Sequence, residues 1–177
     1  LQYCVQTLTE RGYVFIGMDH FAKPDDELSI ALKEGFLQRN FQGYSTYADC
    51  DLVAIGVSSI GKIGSTYSQN ERDIDAYYAA LDVGHLPIMR GYQLNQDDIL
   101  RRNIIQDLMC RFSLDYRIYE SVFGIPFSRY FAAELEDMKQ LETLGLVRLK
   151  PHSLTVTPKG RFLIRNIAMV FDYHLRH

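Results

Sequence analysis

The sequence predicts an α/β region followed by a mostly helical module, and three observations carry that prediction. First, two apolar runs, at 13–21 and 51–57, lie on either side of a segment with helical spacing. Strand, helix, strand is the order of a βαβ unit, which implies neighbouring parallel strands with their loop chemistry at one edge. Second, a long 3.6-period stripe (Ile99, Leu100, Asn103, Ile104, Leu108, Phe112) begins after Asn95. Third, the remainder reads helix, helix, hairpin, helix, which is a winged-helix-like outline.

The elements follow in order. Residues 1–11 read as the tail of a helix stopped at Arg11-Gly12, with a cation in the last turn and glycine just past it. The chain is therefore expected to be a fragment that opens inside a helix. Residues 13–18 are apolar on both faces, the pattern of a strand inside a helix-covered sheet. Pro24-Asp25-Asp26-Glu27 suits a helix start, and Leu28, Ala31, Leu32, Gly35 and Phe36 continue it. Residues 39–50 lack a period and are read as an ordered loop. Residues 52–57 are the second strand, 58–64 a Gly-rich segment and 66–70 a short extended piece. Residues 71–83 form a helix with Ile74, Tyr77, Tyr78 and Leu81 on one face and Gly84 as its stop, and 86–92 are extended.

Asn95 is the expected N-cap of a helix over 96–112. Short and longer helices follow at 116–123 and 126–144, with Gly145 as the stop. A hairpin turns at Pro151-His152-Ser153. Thr157-Pro158 starts a last helix running to about 175. These readings give two domains, 1–94 and 95–177.

Composition narrows the function. Hydrophobic residues are 47% of 177, enough for a sizeable core, and the net charge of −3 argues against a surface devoted to nucleic acid. Cys4, Cys50 and Cys110 are too scattered for a disulfide framework, a zinc ribbon or a local iron–sulfur motif, so no metal site is expected. No run approaches the length of a membrane span and no signal peptide is visible, so a cytoplasmic location is expected.

Some residues stand out as chemistry. Asp19 and His20 close the first strand, where ionisable groups in α/β sheets often serve a ligand, although a structural hydrogen bond explains them equally well. Arg90 offers a planar fork that pairs with carboxylates, although ordinary ion pairing is the commoner use. Arg148, Lys150, Lys159, Arg161 and Arg165 form a basic set with no acid between 148 and 165. A winged-helix nucleic-acid-binding module is the alternative this set suggests, but five cations make a modest patch.

Several motifs in matching order carry a resemblance: Gly17-Met-Asp-His-Phe-Ala-Lys-Pro24, Arg39-Asn-Phe-Gln-Gly-Tyr44, Gly56-Val-Ser-Ser-Ile60, Tyr67-Ser-Gln-Asn70, Arg90-Gly91 and Lys159-Gly-Arg-Phe-Leu-Ile-Arg-Asn166. They resemble the C-terminal part of the oxygen-independent coproporphyrinogen III oxidases, of the radical S-adenosylmethionine superfamily, over nearly all 177 residues. The resemblance implies the last strands and helices of an incomplete (β/α) barrel followed by the helical, winged-helix-like domain. It implies a parent that uses S-adenosylmethionine and a 4Fe-4S cluster. A 5′-deoxyadenosyl radical would lead to decarboxylation of two propionates of coproporphyrinogen III, giving the vinyl groups of protoporphyrinogen IX in haem biosynthesis. By the same resemblance Phe41, Gln42 and Ile60 line the S-adenosylmethionine region, while Asp19, His20 and Arg90 are substrate-region candidates.

The family's cluster motif, Cys-x-x-x-Cys-x-x-Cys with a further Cys-x-Cys, is absent from these residues. The chain alone is therefore expected to be inactive. The expected partners of the parent, a monomer, are coproporphyrinogen III and S-adenosylmethionine, with neither nucleic acid nor membrane. A haem-binding radical S-adenosylmethionine relative is the other alternative.

Overall fold

A computed structural model describes residues 2–47 and 50–175. The chain mixes helices and short strands without a closed barrel, and every strand pairing among the described residues is antiparallel. It divides into two compact units, 1–48 with 100–177, and 49–99.

In the first unit, α1 (Gln2–Glu10) stops where Gly12 takes a φ of 82° and the Tyr13 N–H returns to the Leu8 carbonyl at 3.0 Å. The apolar run that follows is not a buried parallel strand. It is a hairpin of β1 (Val14–Gly17) and β2 (His20–Ala22). Met18 turns the chain back in the left-handed region, at a φ of 54° that a bulky side chain rarely adopts. The apolar residues on both faces have other uses: Ile16 is buried, while the Phe15 and Phe21 rings pair across the hairpin at 5.3 Å. Helix α2 (Glu27–Glu34) is capped by the Asp26 carboxylate, which accepts from Leu28 N–H at 2.8 Å, and ends at Gly35 (φ 82°). The expected loop after it contains a second hairpin, β3 (Gln38–Asn40) and β4 (Gly43–Ser45).

The second unit is a three-stranded sheet, β5 (Ile60–Ile63), β6 (Thr66–Asn70) and β7 (Ile88–Gln93), in that order, with α3 (Ile74–Asp82) between β6 and β7. Residues 52–57 are not the expected strand. Only Leu52 makes a bridge, to Lys62, and the βαβ expectation fails with it. Buried Asn70 instead binds this segment through its side chain, donating to the carbonyls of Gly56 at 3.0 Å and Ala54 at 3.3 Å. The apolar residues of α3 are largely open to solvent: Ile74 is 56% exposed and Tyr78 57%.

Helix α4 (Gln96–Arg111) begins as expected at Asn95, whose side chain accepts from Asp98 N–H at 2.9 Å. The Asp98 carboxylate returns the favour to Asn95 N–H at 3.0 Å, a reciprocal cap. Then come β8 (Ser113–Asp115) and α5 (Tyr116–Phe123), with α6 (Phe127–Tyr130) and α7 (Ala132–Thr143) where one longer helix was expected. Strands β9 (Val147–Lys150) and β10 (Ser153–Val156) complete a sheet of order β8-β10-β9.

The last helix is also broken, into α8 (Pro158–Arg161), α9 (Ile164–Met169) and a 3₁₀ turn at Tyr173–Leu175. Thr157 caps α8 by accepting from Gly160 N–H at 3.0 Å. Gly160 has to be glycine, since a Cβ there would collide with the Leu146 carbonyl. The core of this unit is Phe127, Phe131, Met138, Leu154, Ile164, Ile167 and Phe171, with the inner face of α4. Tyr116 stacks on Phe127 at 4.3 Å. Among the described residues no helix is long and apolar enough to cross a membrane.

Candidate functional site

The candidate residues fall on two separate frameworks. In the first unit, Asp19 lies in the β1–β2 turn and His20 opens β2, so neither closes a strand of a parallel sheet. The Asp19 carboxylate lies 2.8 Å from His20 Nδ1, and the imidazole meets Tyr44 edge-on at 5.1 Å. Phe41 and Gln42 are the two turn residues of the β3–β4 hairpin. The Asn40 side chain sets that turn by accepting from Gln42 N–H at 2.8 Å, and Phe41 is 53% exposed. Gly43 follows at a φ of 138°, and a Cβ there would lie 3.3 Å from His20 Nε2. The two hairpins thus bring His20 beside the Phe41-Gln42 turn, a juxtaposition that the spacing of these residues in the sequence does not reveal.

Tyr44 anchors the arrangement. Its hydroxyl donates to the Met109 carbonyl at 3.2 Å, and Gly17 leaves the space it occupies. Burial pushes the Tyr44 phenol up to about 12, with nearby Cys110 acting in the same direction. Arg39 lies over the Tyr44 ring at 5.0 Å. Arg161 reaches from α8 to β1, donating from Nη2 to the Phe15 carbonyl at 3.0 Å and lying 4.1 Å over the Phe112 ring. Burial lowers its pKa from the ordinary guanidinium value. The Arg161 guanidinium therefore holds the strand that leads into Asp19 and His20, a contact spanning 146 residues that no local pattern announces.

In the second unit, strand register places Ile60 opposite Gln69, and Gln69 opposite Arg90. Cross-strand partners project on one face, so these three side chains form a row. Arg90 donates from Nε and Nη2 to Gln69 Oε1, at 2.9 and 2.6 Å. The Gln69 amide donates to the Ser58 carbonyl at 3.1 Å, and Ser58 itself has a φ of 59°. Ser59 Oγ donates to the Ile55 carbonyl at 2.7 Å, and the Tyr77 hydroxyl accepts from Gly56 N–H at 3.1 Å. Gln69 and Asn70 are thus the residues that shape the 54–59 loop before Ile60. Their only sequence signal is an amide pair at the end of a short strand.

Among the described residues no group of three His, Cys, Asp or Glu side chains gathers as a metal site. Cys4 and Cys50 are exposed, whereas Cys110 is buried and its thiol is pushed up to about 12 by burial.

Residues 94–163 match the model of the HemN C-terminal domain. A Synechocystis protein named oxygen-independent coproporphyrinogen III oxidase is 49% identical over 181 aligned residues, covering 100% of this chain and 39% of that protein. The chain matches the C-terminal portion of the oxygen-independent coproporphyrinogen III oxidases. The oxidase of that name from Escherichia coli K12 is 48% identical across 99% of the chain and 38% of its own length. Among solved structures, the Escherichia coli coproporphyrinogen III oxidase, described as a radical SAM enzyme, aligns at a TM-score of 0.94 and 47% identity. It covers 98% of this chain and 40% of that one. The chain therefore spans about two-fifths of the length of these oxidases.

Proposed function

We propose that this chain is the C-terminal part of an oxygen-independent coproporphyrinogen III oxidase, which converts two propionates of coproporphyrinogen III to vinyl groups with loss of carbon dioxide. The observation that carries the proposal is identity near one half across the whole chain, accompanied by the same fold. The Arg39-Asn-Phe-Gln-Gly-Tyr44 and Gly56-Val-Ser-Ser-Ile60 motifs fall on the two ordered frameworks described above.

Residues 1–94 are proposed to complete the barrel of the parent, and 95–177 to form a winged-helix-like domain. The family match from residue 94 supports that boundary, as does the β8-β10-β9 order, in which the strand after α4 pairs with the last strand of the hairpin. Phe41 and Gln42 on the first unit, and Ile60 on the second, are each proposed as S-adenosylmethionine-region residues of the parent. S-adenosylmethionine would supply the oxidising radical when bound with the cluster. Asp19, His20 and Arg90 are proposed for the substrate side, His20 held edge-on against the Tyr44 ring.

The three cysteines do not fit a 4Fe-4S cluster: two are isolated and exposed, and the third is a buried neutral thiol. Cluster ligands are therefore assigned to the part of the oxidase outside this chain, and the chain alone is proposed to be inactive. The test is anaerobic turnover of coproporphyrinogen III by the full-length protein, with the products separated by mass. Loss of two carbon dioxide molecules is expected. Tight haem binding with no decarboxylation would contradict the proposal.

A further inference from the structure

The second unit gathers two guanidinium groups on one neutral oxygen. Gln69 Oε1 accepts two hydrogen bonds from Arg90, and Arg72 Nη2 approaches the same atom at 3.5 Å. The amide cannot reverse without losing its own donation to the Ser58 carbonyl, so the acceptor is aimed at the two arginines. Among the described residues neither guanidinium forms an ion pair with a carboxylate. The neighbouring Asp73 carboxylate is committed to the start of α3, where it accepts from Asp75 and Ala76 N–H at 3.1 and 2.9 Å.

Two cations held together repel unless an anion lies between them. Arg90 uses its Nε–Nη2 edge on Gln69, and its remaining N–H groups stay available in the planar geometry that matches a carboxylate. This end of the row is two strands across from Ile60.

We propose that Arg90 and Arg72, aimed by Gln69, form a carboxylate-binding subsite. The inference rests on the oxidase reading for its ligand, a propionate of coproporphyrinogen III, with the carboxylate of S-adenosylmethionine as the other source of the same chemistry. Gln69 is a positioning residue: it touches the arginines and not the carboxylate.

The test is equilibrium binding to the full-length protein, with three probes: coproporphyrin III, its tetramethyl ester and S-adenosylhomocysteine. Charge-assisted hydrogen bonds of this kind carry roughly a tenfold effect each. Arg90→Gln and Arg72→Gln should each weaken coproporphyrin III by about that factor and leave the ester unchanged. Gln69→Glu should weaken the acid as well, because its carboxylate would occupy both guanidiniums, while unfolding by urea stays as stable as wild type. A loss confined to S-adenosylhomocysteine would keep the subsite and assign it to the amino-acid carboxylate. Unchanged binding of both acids in the double variant Arg72→Gln/Arg90→Gln would overturn the subsite. Turnover is measured on the wild-type protein alongside. Binding that depends on the arginines without any turnover removes the oxidase reading and leaves the subsite standing.

Discussion

Residues 100–175, together with 2–47, hide Phe127, Phe131 and Phe171 completely, whereas among the described residues of 50–99 no Val, Ile, Leu, Met, Phe or Tyr is buried. Both regions are rich in apolar residues. In the second, Val53, Ile55, Val83 and Leu86 are each more than 60% exposed. The first unit is held by burial, the dominant favourable term in folding. The second is held by strand pairing and by amide side chains that take loop carbonyls, contacts whose net worth is about 1 kcal/mol each. Two regions of one chain are thus ordered for different reasons, and the second should open far more easily.

The largest effect that could break this contrast is a core truncation. Phe131→Ala removes a ring packed on Phe127, Tyr130 and Phe171 and should cost about 3–5 kcal/mol in urea unfolding. Leu81→Ala, at a residue of α3 that is 43% exposed, should stay within about 0.5 kcal/mol. Equal losses would erase the distinction.

Alkaline pH should weaken the first unit specifically. The phenols of Tyr44 and Tyr116 and the Cys110 thiol are all pushed up by burial, to about 12, and Tyr119 is raised further by burial and its bond to Asp107. Below about pH 8 these groups are protonated in both states and their contribution is intact. From about pH 8 for the thiol and about pH 9 for the phenols, up to about 12, the unfolded chain releases protons that the folded chain keeps, so stability falls as pH rises. Urea midpoints from pH 7 to 11 should stay level and then decline; a midpoint that stays level to pH 11 would count against the buried, neutral assignment.

Arg161→Ala should cost about 1–3 kcal/mol, since the Phe15 carbonyl loses a charged donor and Phe112 loses its stacked guanidinium. Arg161→Lys should recover only part of this, because an ammonium cannot stack as a plane. In the other unit, Asn70→Ala should cost about 1–2 kcal/mol and speed amide exchange in the 54–59 loop, with no change in the first unit.

Much of this was legible in the sequence where local chemistry decides the outcome. Asn95 with Asp98, Thr157 with Pro158, and the stops at Gly12 and Gly145 mark element ends because caps act over three or four residues. The apolar run at 13–21 misled, since periodicity cannot show that Met18 turns the chain back. Residues 52–57 misled for another reason: a distant side chain, Asn70, claims the carbonyls that a strand partner would have taken. At the candidate site Arg90 stood out as a cation, but Gln69 gains meaning only once strand register sets it beside Arg90, and Arg72 only through its approach to the same amide oxygen.

The most direct test of the two-unit account is native-state hydrogen exchange on the chain. Amides of β6, the central strand of the second unit, should exchange well before those of α4 and α7, at a free energy clearly below that of global unfolding. Protection of β6 equal to that of α7 would contradict the account, because it would mean that the sheet unfolds only together with the buried core.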